Sequence, residues 1–146
     1  MKKILLILVL FPSMLIAQNA CKTCSKFSNS KEWSKFIECV TKKIEQDDNI
    51  NDYMCRATSY GFAFANIDSI KSFYKEDEYI IKEEALNLAL IDFNKIIELD
   101  STFANGIPFK LRGEMKKQLG RNYCDDMKRY CRMTNKCEDY ERDCKK

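Results

Sequence analysis

ALNLALIDFNKIIELD, residues 85–100, followed by STFANGIPFKLRGEMKKQLG, residues 101–120, is the stretch that decides how this chain folds. In the first block Ala85, Leu86, Ala89, Leu90, Phe93, Ile96 and Ile97 recur at helical spacing and make one wide apolar stripe. Glu83 and Glu84 lie toward the start and Lys95 nearer the end, the arrangement a helix dipole favours. Asp100-Ser101 closes this helix. The second block starts another near Pro108, whose missing N–H would have no partner in a first turn anyway. Leu111, Met115 and Leu119 recur every four residues, and Gly120 is a natural C-terminal cap.

Upstream, Trp33, Phe36, Ile37, Val40 and Ile44 share a face from residue 31, with Asn29 and Glu32 as a capping box. The polar run Gln46-Asp47-Asp48-Asn49 ends that helix, because short polar side chains compete for backbone hydrogen bonds. A second helix spans about residues 51–68, with Tyr53, Ala57, Tyr60, Phe64 and Ile67 on one face and Gly61 and Ala63 leaving room for a neighbour. Residues 69–77 are less regular, and the third helix extends over about residues 78–99. Downstream of Gly120 a fifth helix is expected over 123–133 and a short sixth over 137–144. The expected fold class is all-α: six helices in antiparallel hairpins and no strand.

Composition agrees with few connections. The 146 residues include only 4 Gly and 2 Pro. There is no histidine, which excludes Ser-His and Cys-His nucleophile pairs, His-ligated metal and histidine acid–base chemistry. Neither a Gly-rich phosphate loop nor a nucleophile elbow occurs. No catalytic residue and no cofactor is therefore expected. The formal charge is +3, and falls to about +1 without Lys2 and Lys3, so nucleic acid is not an expected partner.

Residues 1–17 read as a signal peptide. Lys2 and Lys3 form a positive start, and Ile4 to Ile16 is an apolar run too short for the ~20 residues of a bilayer span. Cleavage after Ala17 starts the mature chain at Gln18, and cleavage after Ala20 is an alternative. Acylation of Cys21 competes with these, but Gln18-Asn19-Ala20 is a poor lipobox. The expected location is periplasmic or extracellular, with no membrane span in the mature chain. Residues 18–30 read as an irregular entry segment and 31–146 as one helical domain.

Export changes the reading of the eight cysteines, all of which follow the leader. For two antiparallel helices turning around Asn135, Cys124 stands opposite Cys144 and Cys131 opposite Cys137. Cys39 and Cys55 likewise flank a turn centred near Asp47. These three pairs are the expected staples, and a closed loop of about 15–20 residues, as for Cys39–Cys55 and Cys124–Cys144, contributes on the order of 3 kcal/mol. Cys21 and Cys24 are left as a fourth, local pair. A redox role for Cys21-Lys22-Thr23-Cys24 would have Lys22 lowering a thiol pKa, but it normally opens a helix in a βαβ setting, and none is visible. Zinc held by four cysteines is a further alternative, disfavoured in an oxidising compartment.

Asp92-Phe93-Asn94-Lys95 recurs as Asp126-Met127-Lys128-Arg129 at an offset of 34 residues. Residues 92–101 resemble the second helix and closing turn of a tetratricopeptide repeat, with Ser101 in place of the usual proline. Leu111-Arg112-Gly113 resembles the next first helix, Leu119-Gly120 its interhelical turn, and Cys124 to Cys131 the following second helix. Cys55-Arg56-Ala57-Thr58-Ser59-Tyr60 resembles an upstream first helix, with Ala57 and Tyr60 at the small and aromatic positions. The likeness covers roughly residues 53–133 and departs from the family at an insertion over residues 69–82, at extra residues near Gly106-Ile107 and at a short turn after Gly120. It implies a short right-handed helical stack that binds a protein or peptide along its first helices, through Arg56, Lys110, Arg112 and Lys116. A solvated basic face is the plainer account of Lys110, Arg112, Lys116, Lys117 and Arg121. Phe73, Tyr74 and Tyr79 fit no core stripe and are additional contact candidates.

Overall fold

The computed structural model describes residues 21–28, 33–70 and 82–145. The leader, most of the insertion with Phe73, Tyr74 and Tyr79, and the capping box at Asn29 and Glu32 lie outside the described residues. Those described form seven α-helices and no strand. They are α1 (Ser25–Ser28), α2 (Trp33–Gln46), α3 (Ile50–Ile70), α4 (Lys82–Leu99), α5 (Ile107–Gln118), α6 (Cys124–Thr134) and α7 (Glu138–Cys144). Short 3₁₀ turns precede α1 (Lys22–Cys24) and α5 (Phe103–Gly106). The all-α reading with disulfides holds, and five of the six expected helices match within a few residues. For the third, only the part from Lys82 onward is described.

Residues 18–30 were expected to be irregular. Within them, Lys22–Ser28 is helical, closed by the Cys24 N–H donating to the Cys21 carbonyl at 3.1 Å. Periodicity cannot register so short an element, and its stability comes from cross-links.

Each helix packs chiefly on the next in the chain, with the most extensive packing between α3 and α4. The main core unites Met54, Ala57 and Tyr60 of α3, Leu86, Ala89, Leu90, Phe93 and Ile96 of α4, and Leu111 and Met115 of α5. Ala57, Ala89, Phe93 and Ile96 are fully enclosed. A second cluster gathers Cys21, Cys24, Phe36, Val40 and Cys55, flanked by Phe27, Cys39 and Phe62. Two glycines permit close crossings. A Cβ at Gly61 would lie 2.7 Å from the Met115 methyl, and one at Gly113 would lie 2.9 Å from the Met127 methyl.

The connections follow from local chemistry. Asp100 stops α4 by accepting hydrogen bonds from the Thr102 N–H (2.8 Å) and hydroxyl (2.7 Å), which also hold its carboxyl below the ordinary range. Ala104, Asn105 and Gly106 then take positive φ in succession, and buried Gly106 admits the Met133 sulfur of α6. Gly120 (φ 66°) reverses the chain after α5, with the Arg121 N–H closing on the Lys116 carbonyl at 2.8 Å.

Candidate functional site

The polar groups that the fold brings together are two buried struts built to one plan. Arg56 on α3 donates from Nε to Asp92 Oδ2 (2.9 Å) and from Nη2 to Asp92 Oδ1 (2.8 Å) on α4. Its Nη1 reaches back to Thr41 Oγ1 on α2 at 2.9 Å. Arg112 on α5 donates from Nε to Asp126 Oδ2 (3.1 Å) and from Nη2 to Asp126 Oδ1 (2.5 Å) on α6. Its Nη1 reaches back to Asn94 Oδ1 on α4 at 2.7 Å. The same three donor atoms do the same three jobs in each hairpin.

The surrounding register repeats as well. An aromatic ring precedes each arginine by three positions, with Tyr53 5.9 Å from the Arg56 guanidinium and Phe109 5.5 Å from that of Arg112. A small residue follows each, Ala57 or Gly113, where the partner helix crosses closely. After each aspartate comes a buried apolar residue, Phe93 or Met127. Thr41 and Asn94 hold corresponding places, which puts Cys39 where the other two second helices carry Asp92 and Asp126. Val40 is buried as Phe93 and Met127 are. In this first hairpin a Cys24–Cys39 disulfide spans the location taken by the ion pair in the other two.

Four disulfides join all eight cysteines: Cys21–Cys55, Cys24–Cys39, Cys124–Cys144 and Cys131–Cys137. The two C-terminal pairs are those expected from the α6–α7 reversal. The N-terminal expectation needs correction, because Cys39 is not bonded to Cys55 nor Cys21 to Cys24. Folding the Lys22–Ser28 segment back onto α2 and α3 gives each of those helices a sulfur partner from outside their own hairpin.

Burial pushes the Asp92 carboxyl above its ordinary value, while the hydrogen bonds and charge of Arg56 oppose that. Asp126 accepts from Arg112 and also lies 2.8 Å from Lys116 Nζ. Lys110 stands 3.9 Å from Glu114 and over the Tyr130 ring at 5.7 Å. Thus Arg56, Lys110, Arg112 and Lys116 all have partners within the chain, and the side chains of Arg56 and Arg112 are only 18% and 17% exposed. Tyr53 donates its hydroxyl to Asp48 at 2.6 Å, which pushes the phenol up to about 12.

Glu114 is a carboxyl that no sequence pattern singles out. Desolvation by burial raises it to about 7, with Lys110 pulling it down and Asp139 of α7 pushing it further up. Thr41, Asn94, Asp92 and Asp126 were equally unassigned from the sequence. The 34-residue recurrence marks both aspartates, but only the fold reveals their partners. Among the described residues no group of three or more His, Cys, Asp or Glu side chains is placed to hold a metal ion. No helix among them is long and apolar enough to cross a membrane. Comparisons with known protein families, with curated proteins and with solved structures give no match to this chain.

Proposed function

We propose that this is an exported, non-enzymatic helical-repeat protein of tetratricopeptide-like build that binds a protein or peptide in the cell envelope or outside the cell. The observation that carries the reading is the repeated Arg–Asp strut, with its back-contact to the preceding helix, in two successive hairpins. Such a device fixes the angle between stacked hairpins and suits a scaffold that presents a shaped surface. Support for export comes from the basic-then-apolar leader and from four disulfides, which persist in oxidising compartments.

Arg56 and Arg112 act as struts in this reading, so partner contact falls on Lys110 and Lys116 beside them and on Phe73, Tyr74 and Tyr79 of the insertion. The test is capture from the envelope and secreted fractions, repeated with Lys110→Glu and with Tyr74→Ala/Tyr79→Ala after checking helicity. A captured protein that is lost with these variants supports the proposal. No enrichment over a charge-scrambled control, or capture indifferent to all of them, ends it. Insulin reduction by wild type and Cys21→Ser separates the thiol–disulfide alternative, for which the expected result is no activity in either.

A further inference from the structure

Cys21 and Cys24 belong to two different disulfides, yet one backbone turn joins them and one apolar cluster holds their partners. Cys24 donates its N–H to the Cys21 carbonyl at 3.1 Å. Residues three apart in such a turn have Cα atoms less than ~7 Å apart, within the span that a disulfide bridges. Cys39 and Cys55 sit equally far from Asp47 on the antiparallel helices α2 and α3, and both pack into that cluster. Cys24 and Cys55 are almost wholly enclosed and Cys21 is buried, whereas Cys39 is partly exposed.

We infer that these four cysteines form a disulfide-exchange switch with two states, Cys21–Cys55/Cys24–Cys39 and Cys21–Cys24/Cys39–Cys55, opened through Cys39 by a small external thiol. The thiolate attacks the accessible Cys39 sulfur, forms a mixed disulfide there and expels the Cys24 thiolate. Cys24 then attacks Cys21, closing Cys21–Cys24 and expelling the Cys55 thiolate. Cys55 attacks the mixed disulfide at Cys39, closing Cys39–Cys55 and returning the external thiolate. Two disulfides enter and two leave, so there is no net oxidation and the thiol is a catalyst. In the first state the Lys22–Ser28 segment is bonded to both α2 and α3. In the second it is bonded to neither, and the apolar side chains of Phe36 and Val40 lose a covalently fixed cover.

Peptide mapping of the fully oxidised chain tests this directly, because trypsin cleavage at Lys22, Lys26 and Lys42 separates Cys21, Cys24, Cys39 and Cys55. Incubation with glutathione, followed by acid quench and alkylation, is expected to yield Cys21–Cys24 and Cys39–Cys55 fragments with no gain in free thiol. The rate should rise about tenfold for tenfold more thiolate, and cleavage at Lys26 in the undenatured chain should accelerate in parallel. Recovery of only Cys21–Cys55 and Cys24–Cys39 at equilibrium overturns the inference, as does a Cys21–Cys24 bond that appears only with scrambling into Cys124, Cys131, Cys137 or Cys144. Cys39→Ser offers a second, thiol-free reading in a variant whose far-UV spectrum shows it folded. It leaves Cys24 free to attack Cys21, and the expected product is Cys21–Cys24 with Cys55 as the free thiol. A folded variant that keeps Cys21–Cys55 and a free Cys24 also overturns it.

Discussion

The α3–α4 hairpin and the α6–α7 hairpin are both antiparallel helix pairs, but they are held by different physics. Between α3 and α4 lie Met54, Ala57, Leu86, Ala89, Phe93 and Ile96, nearly all without solvent contact. No residue of α7 is buried, and its seven residues carry Glu138, Asp139, Glu141, Arg142 and Asp143. What ties α7 down is Cys124–Cys144, Cys131–Cys137 and exposed ion pairs such as Lys117–Asp143. Where a hairpin can exclude water, apolar area supplies the stability. Where it is too short to do so, covalent closure replaces burial by restricting the unfolded chain.

Removing a large side chain from each hairpin should widen this difference most. Phe93→Ala empties a fully enclosed site and is expected to lower global stability by about 3–5 kcal/mol in urea denaturation. Tyr140→Ala on α7, a half-buried residue, should cost below ~1 kcal/mol. Equal losses would mean that α7 shares the core.

Asp92→Ala tests the strut. It strands the Arg56 guanidinium in a mostly buried setting, and breaking such a pair from one side costs about 3–5 kcal/mol. Arg56→Met together with Asp92→Leu should recover most of that loss, since no charge remains uncompensated. A double variant as unstable as the single one would assign the strut a packing role and not an electrostatic one.

Cys124→Ser with Cys144→Ser opens a loop closed across 20 residues, for which the loop-entropy estimate is about 3 kcal/mol. Hydrogen exchange should rise in α7 and the end of α6 while the protection of α3 and α4 is retained. Uniform loss of protection would show that the staple supports the whole stack.

A smaller effect than those of the core, strut and staple variants is expected at Glu114, on the boundary between the two regimes. Its folded-state value of about 7 stands above the ordinary carboxylate value of 4.5, so the folded chain holds a proton that the unfolded chain releases earlier. Stability should therefore fall as pH rises from about 4.5 to 7 and level off beyond. Glu114→Gln should remove that slope and raise stability at pH 8 by about 1–3 kcal/mol, read by denaturation at both ends of the range. An unchanged slope would place the titration elsewhere.

The long helices were legible because their apolar stripes span several turns, as in Ala85 to Ile97. The Cys124–Cys144 and Cys131–Cys137 pairs could be read because α6 and α7 are consecutive and reverse around Asn135, whose φ of 59° makes the turn. The same hairpin symmetry misled at Cys39 and Cys55. It considers only neighbours in sequence, whereas the winning partners come from a segment that folds back. Asp92 and Asp126 stood out by their recurrence, but Arg56 lies 36 residues from its partner and Arg112 only 14. The insertion between α3 and α4 stretches one spacing and hides their equivalence. Charge patterning assigned Arg112 to a solvated face and the repeat resemblance assigned Arg56 to a groove, since neither carries information about which face another helix will cover.

The positions of the outer disulfides also have a mechanical consequence. Pulled by its two ends, the chain transmits load across Cys21–Cys55 and Cys124–Cys144, bypassing everything enclosed by those loops. Between Cys21 and Cys144, the stretch that can lengthen is the one from Cys55 to Cys124, 69 residues apart in sequence. At ~3.5 Å per residue that is an extension limit of roughly 240 Å, after which covalent bonds bear the force. The apolar middle is thus the yielding element of a tether whose ends do not pay out.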